Sequence, residues 1–362
     1  MAAASSTRMP WWAWTWPLLA ALILAVHFLL EPGDFYVAAE ALALIATVFA
    51  AVYHAEVVAH RVGEPFGTLV LALAVTVIEV ALIVSLMIAG AGETAGLARD
   101  TVFAAVMIVC NGIVGLCLHA GGVRHREQGI QLQGANAALS VLIALTTLTL
   151  VFPNVTTSTA GPTFSPSQLV FAAVVSLVLY GSFLFVQTVR HRDYFLPTSA
   201  GGEEAHAPPP PNRIALMSAG LLLLSLLVVV ALAKTLTPPL ERGIEHAGAP
   251  KSVVGIVIAG LVLLPEGLAA FRAASANRLQ TSMNLALGSV LASIGLTIPA
   301  VASVSLLMHK PLTLGLGTKE EVLLAVTLIV SVLTLGTGRT TVLQGIVHLV
   351  LFAAFLFLAI VP

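Results

Sequence analysis

The sequence predicts an all-α polytopic membrane protein with about eleven transmembrane helices, two inverted five-helix repeats plus an extra N-terminal helix. Its 362 residues are 58% hydrophobic and only 9% charged, more apolar side chain than the core of a soluble domain encloses. The apolar residues fall in unbroken runs close to the ~20 residues that carry a helix across ~30 Å of hydrocarbon. They do not alternate over segments of about ten residues as the strands of a membrane barrel do, so the backbone must satisfy its own hydrogen bonds as helix.

The first run, residues 11–30, opens with Trp11, Trp12, Trp14 and Trp16, an aromatic belt at the membrane surface. Its length and the want of a small-residue cleavage site argue against a secretory leader. Residues 37–53 follow, with Glu40 near the start and therefore expected at the interface. Residues 67–90 carry one charge, Glu79, and residues 101–120 hold Asn111 with Gly112 and Gly115. Cys110 and Cys117 in that run lie about 10 Å apart along a helix axis, too far for a disulfide, and are expected to be packing residues. Two plain apolar runs, 135–152 and 169–189, complete the first set. After a polar stretch come 213–233 and then 252–271, where Glu266 stands between Pro265 and Gly267. Residues 283–308 are rich in small and polar residues (Asn284, Gly288, Ser289, Ser293, Gly295, Thr297), and 320–337 and 342–361 close the count.

The polar stretch, residues 190–212, is rich in Pro, Gly and Glu and reads as a flexible cytoplasmic linker. It divides the chain into an N-terminal segment with the first helix (1–36), a first five-helix repeat (37–189), the linker itself (190–212) and a second five-helix repeat (213–362). Five is an odd number of crossings, so the second set enters the membrane the other way up, the inverted-repeat plan of many secondary transporters. Of the 16 Lys and Arg, ten fall on the side of the N-terminus and six on the other; the positive-inside bias sets the N-terminus in the cytoplasm and the C-terminus outside. A net charge of −1 without a basic stripe gives no reason to expect nucleic acid as a partner. The lipid bilayer is the partner that the composition requires.

The chemistry lies in the two deep glutamates. A charge at the bilayer centre costs roughly 2.5–3.5 kcal/mol on insertion scales, so an intramembrane carboxylate marks a cation or proton site. Glu79 and Glu266 each fall in the second run of their five-run set, and no Lys or Arg lies inside either run to neutralise them. Neutral oxygens are at hand: Thr76 three residues before Glu79, and Asn111, Ser289 and Ser293 on the helices that follow. Small residues at such places equally permit close helix packing. Pro265 lacks the N–H that would bond the Leu261 carbonyl, so a kink or break is expected there, with Gly267 beside it and the Leu261 oxygen as a further ligand.

Four stretches carry a resemblance: RVGEPFGTLVLALAVTVIEVALI (61–83), LLPEGLAAFRAA (263–274), NLALGSVLASIGLTIP (284–299) and TGRTTVLQGIVHLVLFAAFL (337–356). The chain resembles, from about His54 onward, the bacterial calcium/proton antiporters of the ChaA type within the cation/calcium exchanger superfamily. The resemblance implies a secondary transporter of the bacterial inner membrane, not an enzyme and without a cofactor. It would exchange Ca²⁺, and in this branch also Na⁺ or K⁺, for protons and export the cation from the cytoplasm. The proton-coupled branch carries Gly-Asn-x-x-Glu in each repeat, which implies Glu79 and Glu266 as the cation- and metal-binding residues. The Asn positions fall on Thr76 and Leu263 and the Gly positions on Val75 and Val262, Ser293 matches a small hydroxyl residue, and Leu296 stands where a Gln is common.

Burial and a second nearby carboxylate both favour the protonated form, so each Glu is expected to hold either a proton or part of a cation. Competition then couples the two fluxes by alternating access. A passive cation channel also uses acidic pore residues and is the alternative. An intramembrane enzyme lacks support, since no Ser-His, paired Asp or His-rich metal motif lies in the runs. Weaker constellations remain. Glu56 and His60 share a helix face next to His54 and with Glu64 form either a cation vestibule or a solvated helix end. His27, His119 and His348 read as proton relays or as hydrogen-bonded packing residues, and Glu203, Glu204 and His206 as a cation sensor or as plain solvated linker.

Overall fold

The structure, a computed structural model, describes residues 9–30, 35–63, 66–89, 95–196, 209–246, 250 and 252–361. Each predicted run is a long helix: α1 (Trp11–Leu30), α2 (Phe35–Val62), α3 (Phe66–Ala89), α4 (Leu97–His125), α5 (Leu132–Val155), α6 (Pro166–Arg190), α7 (Asn212–His246), α8 (Ser252–Ser275), α9 (Leu279–Met308), α10 (Thr318–Leu335) and α11 (Val342–Ile360). Among the described residues nine of these are long and apolar enough to cross a membrane; α3 contributes a shorter apolar stretch, Thr76–Ser85. α10 opens on Lys319, Glu320 and Glu321. A short antiparallel ladder joins β1 (Glu127–Gly129) to β2 (Arg339–Thr341), with Glu127 opposite Thr341 and Gly129 opposite Arg339.

Some helices outrun their apolar runs. α2 ends at Val62 instead of residue 53, and α7 at His246 instead of residue 233. A helix that leaves hydrocarbon can continue with charged residues in water, so composition does not mark its end. α7 even passes Pro238 and Pro239, where the hydroxyls of Thr235 and Thr237 donate to the carbonyls of Leu232 and Ala233 (2.9 and 2.8 Å) in the turn below. Within α4, α5 and α6 lie π-helical stretches, Ile108–Ile113, Thr147–Val151 and Val186–Arg190, where wider turns re-aim the side chains.

The chain packs as two compact units, residues 1–86 with 200–247 and residues 87–199 with 248–362. In the first unit α1 packs on α2 and α7, and α2 on α7. The extra helix α1 is fastened to α2 by the Tyr36 hydroxyl, which donates to the Ile23 carbonyl (2.6 Å), by the His54 ring on the Ala13 carbonyl (2.9 Å) and by Trp12 edge-on to Tyr53. His27 of α1 meets Glu40 of α2 at 2.6 Å, and Thr235 of α7 donates to the same carboxylate at 3.4 Å. Glu40, near the start of α2, is only 1% exposed and bonds His27 of α1 and Thr235 of α7.

In the second unit α4 lies against α8 and α11, and α9 against α5, α6 and α8. Glycines set the closest approaches: a Cβ at Gly122 would collide with the backbone of Val342, one at Gly345 with that of His119, and one at Gly295 with Tyr180. Cys110 and Cys117 are buried free thiols.

The loops of this unit are tied together at both ends. At the ladder end Gln128 donates to the Ala274 carbonyl (2.9 Å) and the Asn277 side chain (3.0 Å), and the Gln131 backbone donates to Gln280 (2.7 Å). At the other end residues 313–316 lie along 150–162. Leu314 and Gly315 donate to the Pro162 carbonyl, Leu316 to that of Leu150, and Thr313 to that of Ala95, while Asn154 donates to Leu316 and to Glu321. The stretch expected as a flexible linker begins docked. Phe195 is buried edge-on to Phe183 (5.8 Å), and its carbonyl accepts from Asn284 of α9 (2.6 Å). Glu203, Glu204 and His206 lie outside the described residues.

Candidate cation site

Glu79 belongs to the first unit. It is 2% exposed, with Thr76 (6%) one turn earlier and Ile83 one turn later on the same buried face of α3, while Leu73 and Val77 form the exposed face. α3 is 24 residues long, and the three-residue spacing puts hydroxyl and carboxylate on one side of it.

Glu266 belongs to the second unit. It is half-buried on the face of α8 that also carries Ala259, Val262, Leu263 and Ala270, opposite the exposed Leu264 and Leu268. α8 passes through Pro265 as one helix and continues beyond Arg272 to Ser275, so Glu266 stands well inside it. Of the kink or break expected at Pro265, the break does not occur, because a single missing N–H leaves the rest of the ladder intact; the Leu261 carbonyl is the group left without that donor. Beside the carboxylate α8 comes close to α4: a Cβ on Gly267 would stand 3.0 Å from the Ile113 side chain. On α9, which packs on α8, Ser293 is buried and Ser289 half-buried one turn before it. Next to Ser289, the place where Gly288 would carry a Cβ has no neighbouring atom within 4 Å.

Asn111 is fully buried at the centre of the π-helical stretch of α4. Its amide nitrogen donates to the Thr327 hydroxyl of α10 (2.8 Å), and its oxygen is 3.2 Å from Nδ1 of His348 on α11. The other ring nitrogen of His348 is 3.0 Å from the Thr334 hydroxyl. Sequence reasoning named Asn111 and His348 separately and passed over Thr327 and Thr334.

A family model described as sodium/calcium exchanger protein matches residues 35–189 and 217–361. The chain belongs to the sodium/calcium exchanger family. It is similar to y4hA of Sinorhizobium fredii, named for ionic transport, at 51% identity over 99% of this chain and 98% of that protein. It is also similar to the sodium-potassium/proton antiporter ChaA of Escherichia coli, at 36% identity over 94% of this chain and 93% of that protein. Among solved structures, native YfkE shares the fold with a TM-score of 0.73 at 16% identity, over 97% of this chain and 100% of that one.

As a member of this family the protein is a secondary transporter integral to the membrane, not an enzyme. Glu56 and His60 are half-buried on α2, His54 turns to α1, and Glu64 lies outside the described residues. Among the described residues no group of three or more His, Cys, Asp or Glu is placed to hold a resident metal ion.

Proposed function

We propose that this exchanger carries a cation out of the cytoplasm against protons, with Glu79 and Glu266 holding either the cation or protons. What carries the reading is a carboxylate set deep in an apolar helix in each of the two stretches matched by the family model, Glu79 in 35–189 and Glu266 in 217–361. A carboxylate at that depth is costly as a bare anion. Bound protons or a bound cation neutralise the pair, the empty form does not cross between states, and the two fluxes are coupled. Thr76, Ser289, Ser293 and the Leu261 carbonyl supply neutral oxygens. Asn111, with both ends of its amide engaged, anchors α4. Ca²⁺ takes about six to eight oxygens. With Thr76 and Leu263 at the Asn positions of the motif the site offers few, which suits Na⁺ or K⁺ alongside Ca²⁺. ChaA is named a sodium-potassium/proton antiporter and YfkE a Ca²⁺/H⁺ antiporter, so proton coupling is favoured over a passive channel.

Two inverted repeats, 37–189 and 213–362, are supported by how the loops pair. The α4–α5 connection docks on the α8–α9 and α10–α11 connections, and the α9–α10 connection docks on Ala95 before α4 and on the α5–α6 connection. Exchanging each helix of the first five for its counterpart in the second turns one set of partners into the other, as it turns α4 on α11 into α9 on α6. Inverted repeats give this pattern. In a bacterial inner membrane with the N-terminus in the cytoplasm, the ladder end then faces the cytoplasm.

The test is full-length protein in proteoliposomes under an imposed pH gradient. Ca²⁺, Na⁺ or K⁺ collapses the gradient with wild type, and Glu79→Gln or Glu266→Gln abolishes the collapse. Cation flux without proton movement would overturn the reading in favour of a channel.

A further inference from the structure

Five side chains from α4, α10 and α11 form one hydrogen-bonded chain inside the second unit. Thr327 Oγ1 is 3.5 Å from Met107 Sδ, Asn111 Nδ2 is 2.8 Å from Thr327 Oγ1, His348 Nδ1 is 3.2 Å from Asn111 Oδ1, and Thr334 Oγ1 is 3.0 Å from His348 Nε2. Asn111, Thr327 and His348 are 0% exposed and Thr334 3%, so no water competes for these groups. A thioether can only accept, which fixes the direction from that end. Thr327 donates to Met107, the Asn111 amide donates to Thr327, and the amide oxygen is left to accept from Nδ1–H of His348. A neutral imidazole then has Nε2 bare, and the Thr334 hydroxyl donates to it. The second Asn111 N–H reaches Met107 Sδ (3.8 Å), and the Cys110 carbonyl, also in the π-helical stretch, bonds the His348 ring as well; all of these contacts fit a neutral His348 with its proton on Nδ1.

The same stretch of α4 meets α8 on another side. Ile108 reaches to 3.9 Å and Ile113 to 3.0 Å from where Gly260 and Gly267 would carry a Cβ, and Gly267 adjoins Glu266. Residues five apart diverge by about 140° on an α-helix. They come toward one line only across a π turn, whose bonds join each residue to the fifth after it. The π-helical stretch Ile108–Ile113 is therefore what turns both isoleucines to α8 while Asn111 turns to α10 and α11.

We propose that His348 is a positioning residue for transport: through the Asn111 amide it holds the π turn of α4, and with it Ile113 against the turn of α8 that carries Glu266. This rests on Glu266 being a transport carboxylate. The geometry supplies its own discriminating variants, because asparagine places an amide donor where Nδ1 stands and glutamine places one where Nε2 stands.

The experiment uses the full chain in proteoliposomes, with Na⁺ and Ca²⁺ as probes of gradient collapse. His348→Asn keeps the apparent cation KM within about twofold of wild type, and His348→Gln raises it about tenfold, the effect of one buried hydrogen bond, with little change in kcat. Equal KM in the two variants overturns the proposal. So does a merely structural outcome, in which both lose folded protein and the surviving fraction keeps the wild-type KM. Glu266→Gln run alongside separates the two ideas. If it transports, the carboxylate reading falls whatever His348 does. If it is dead and His348→Gln keeps the wild-type KM, the positioning role alone falls.

Discussion

The two compact units are held together by different means. In the second, loops are joined at both ends: Gln128, Gln280 and the β1–β2 ladder at one, Asn154 and residues 313–316 at the other. In the first, among the described residues, α1, α2 and α7 meet along their lengths through side chains, with the His27, Glu40 and Thr235 cluster and the Tyr36 and His54 bonds, and no ladder ties their ends. A unit tied at its ends resists relative movement of its helices, whereas helices joined by a few side-chain bonds shift at small free-energy cost. Glu79 belongs to the first of these units and Glu266 to the second, so the inequality between the units divides the two carboxylates.

The largest effect asks whether that inequality extends to the chemistry. Glu79→Gln and Glu266→Gln should each lower exchange by more than about a hundredfold in gradient-collapse measurements; a loss from only one of them would make the units unequal in chemistry as well as stiffness. Next comes overpacking. Gly345→Val forces a side chain into the His119 backbone and should destabilise the protein by about 1–3 kcal/mol, read as a lower unfolding midpoint in detergent. Removing a tie is expected to be somewhat milder. Gln128→Ala leaves the Ala274 carbonyl and the Asn277 side chain without this donor, a loss of roughly 1–2 kcal/mol, and should raise hydrogen exchange in the loops 126–131 and 275–280. Smallest is a change in the first unit: Gly220→Ala on α7 meets no atom within 4 Å and should stabilise by no more than about 1 kcal/mol through helix propensity. If Gln128→Ala shifts stability no more than Gly220→Ala does, the contrast in stiffness is wrong.

Much of this was legible in the sequence, and for a physical reason. The hydrocarbon thickness demands about 20 apolar residues per crossing, so eleven runs gave eleven helices. Thr76 and Glu79 on one buried face followed from a charge in an apolar run and a three-residue spacing. The ends of α2 and α7 were not legible, since water beyond the bilayer imposes no composition on a helix. Nor was the π turn at Ile108–Ile113, because shifting the ladder by one residue leaves no mark in composition. Asn111 meets Thr327 and His348 across 216 and 237 residues, and one sequence holds no record of which distant polar residues pair. The cover over Glu40 was not legible for a related reason: it comes in part from α1, a helix for which the repeat logic has no role.

Glu127 and Arg339 are 212 residues apart, so the β1–β2 ladder closes only after α10 and the loop beyond it have left the ribosome. By then α4 has been in the bilayer for most of the time of synthesis, with the Asn111 amide still waiting for His348 and the glycine face of Gly115 and Gly122 still waiting for α11. A polar group without its partner in hydrocarbon is costly. A nascent chain that stalls before α11 therefore exposes a recognisable defect to lipid, and α11 is the keystone whose arrival turns a set of inserted helices into a finished membrane protein.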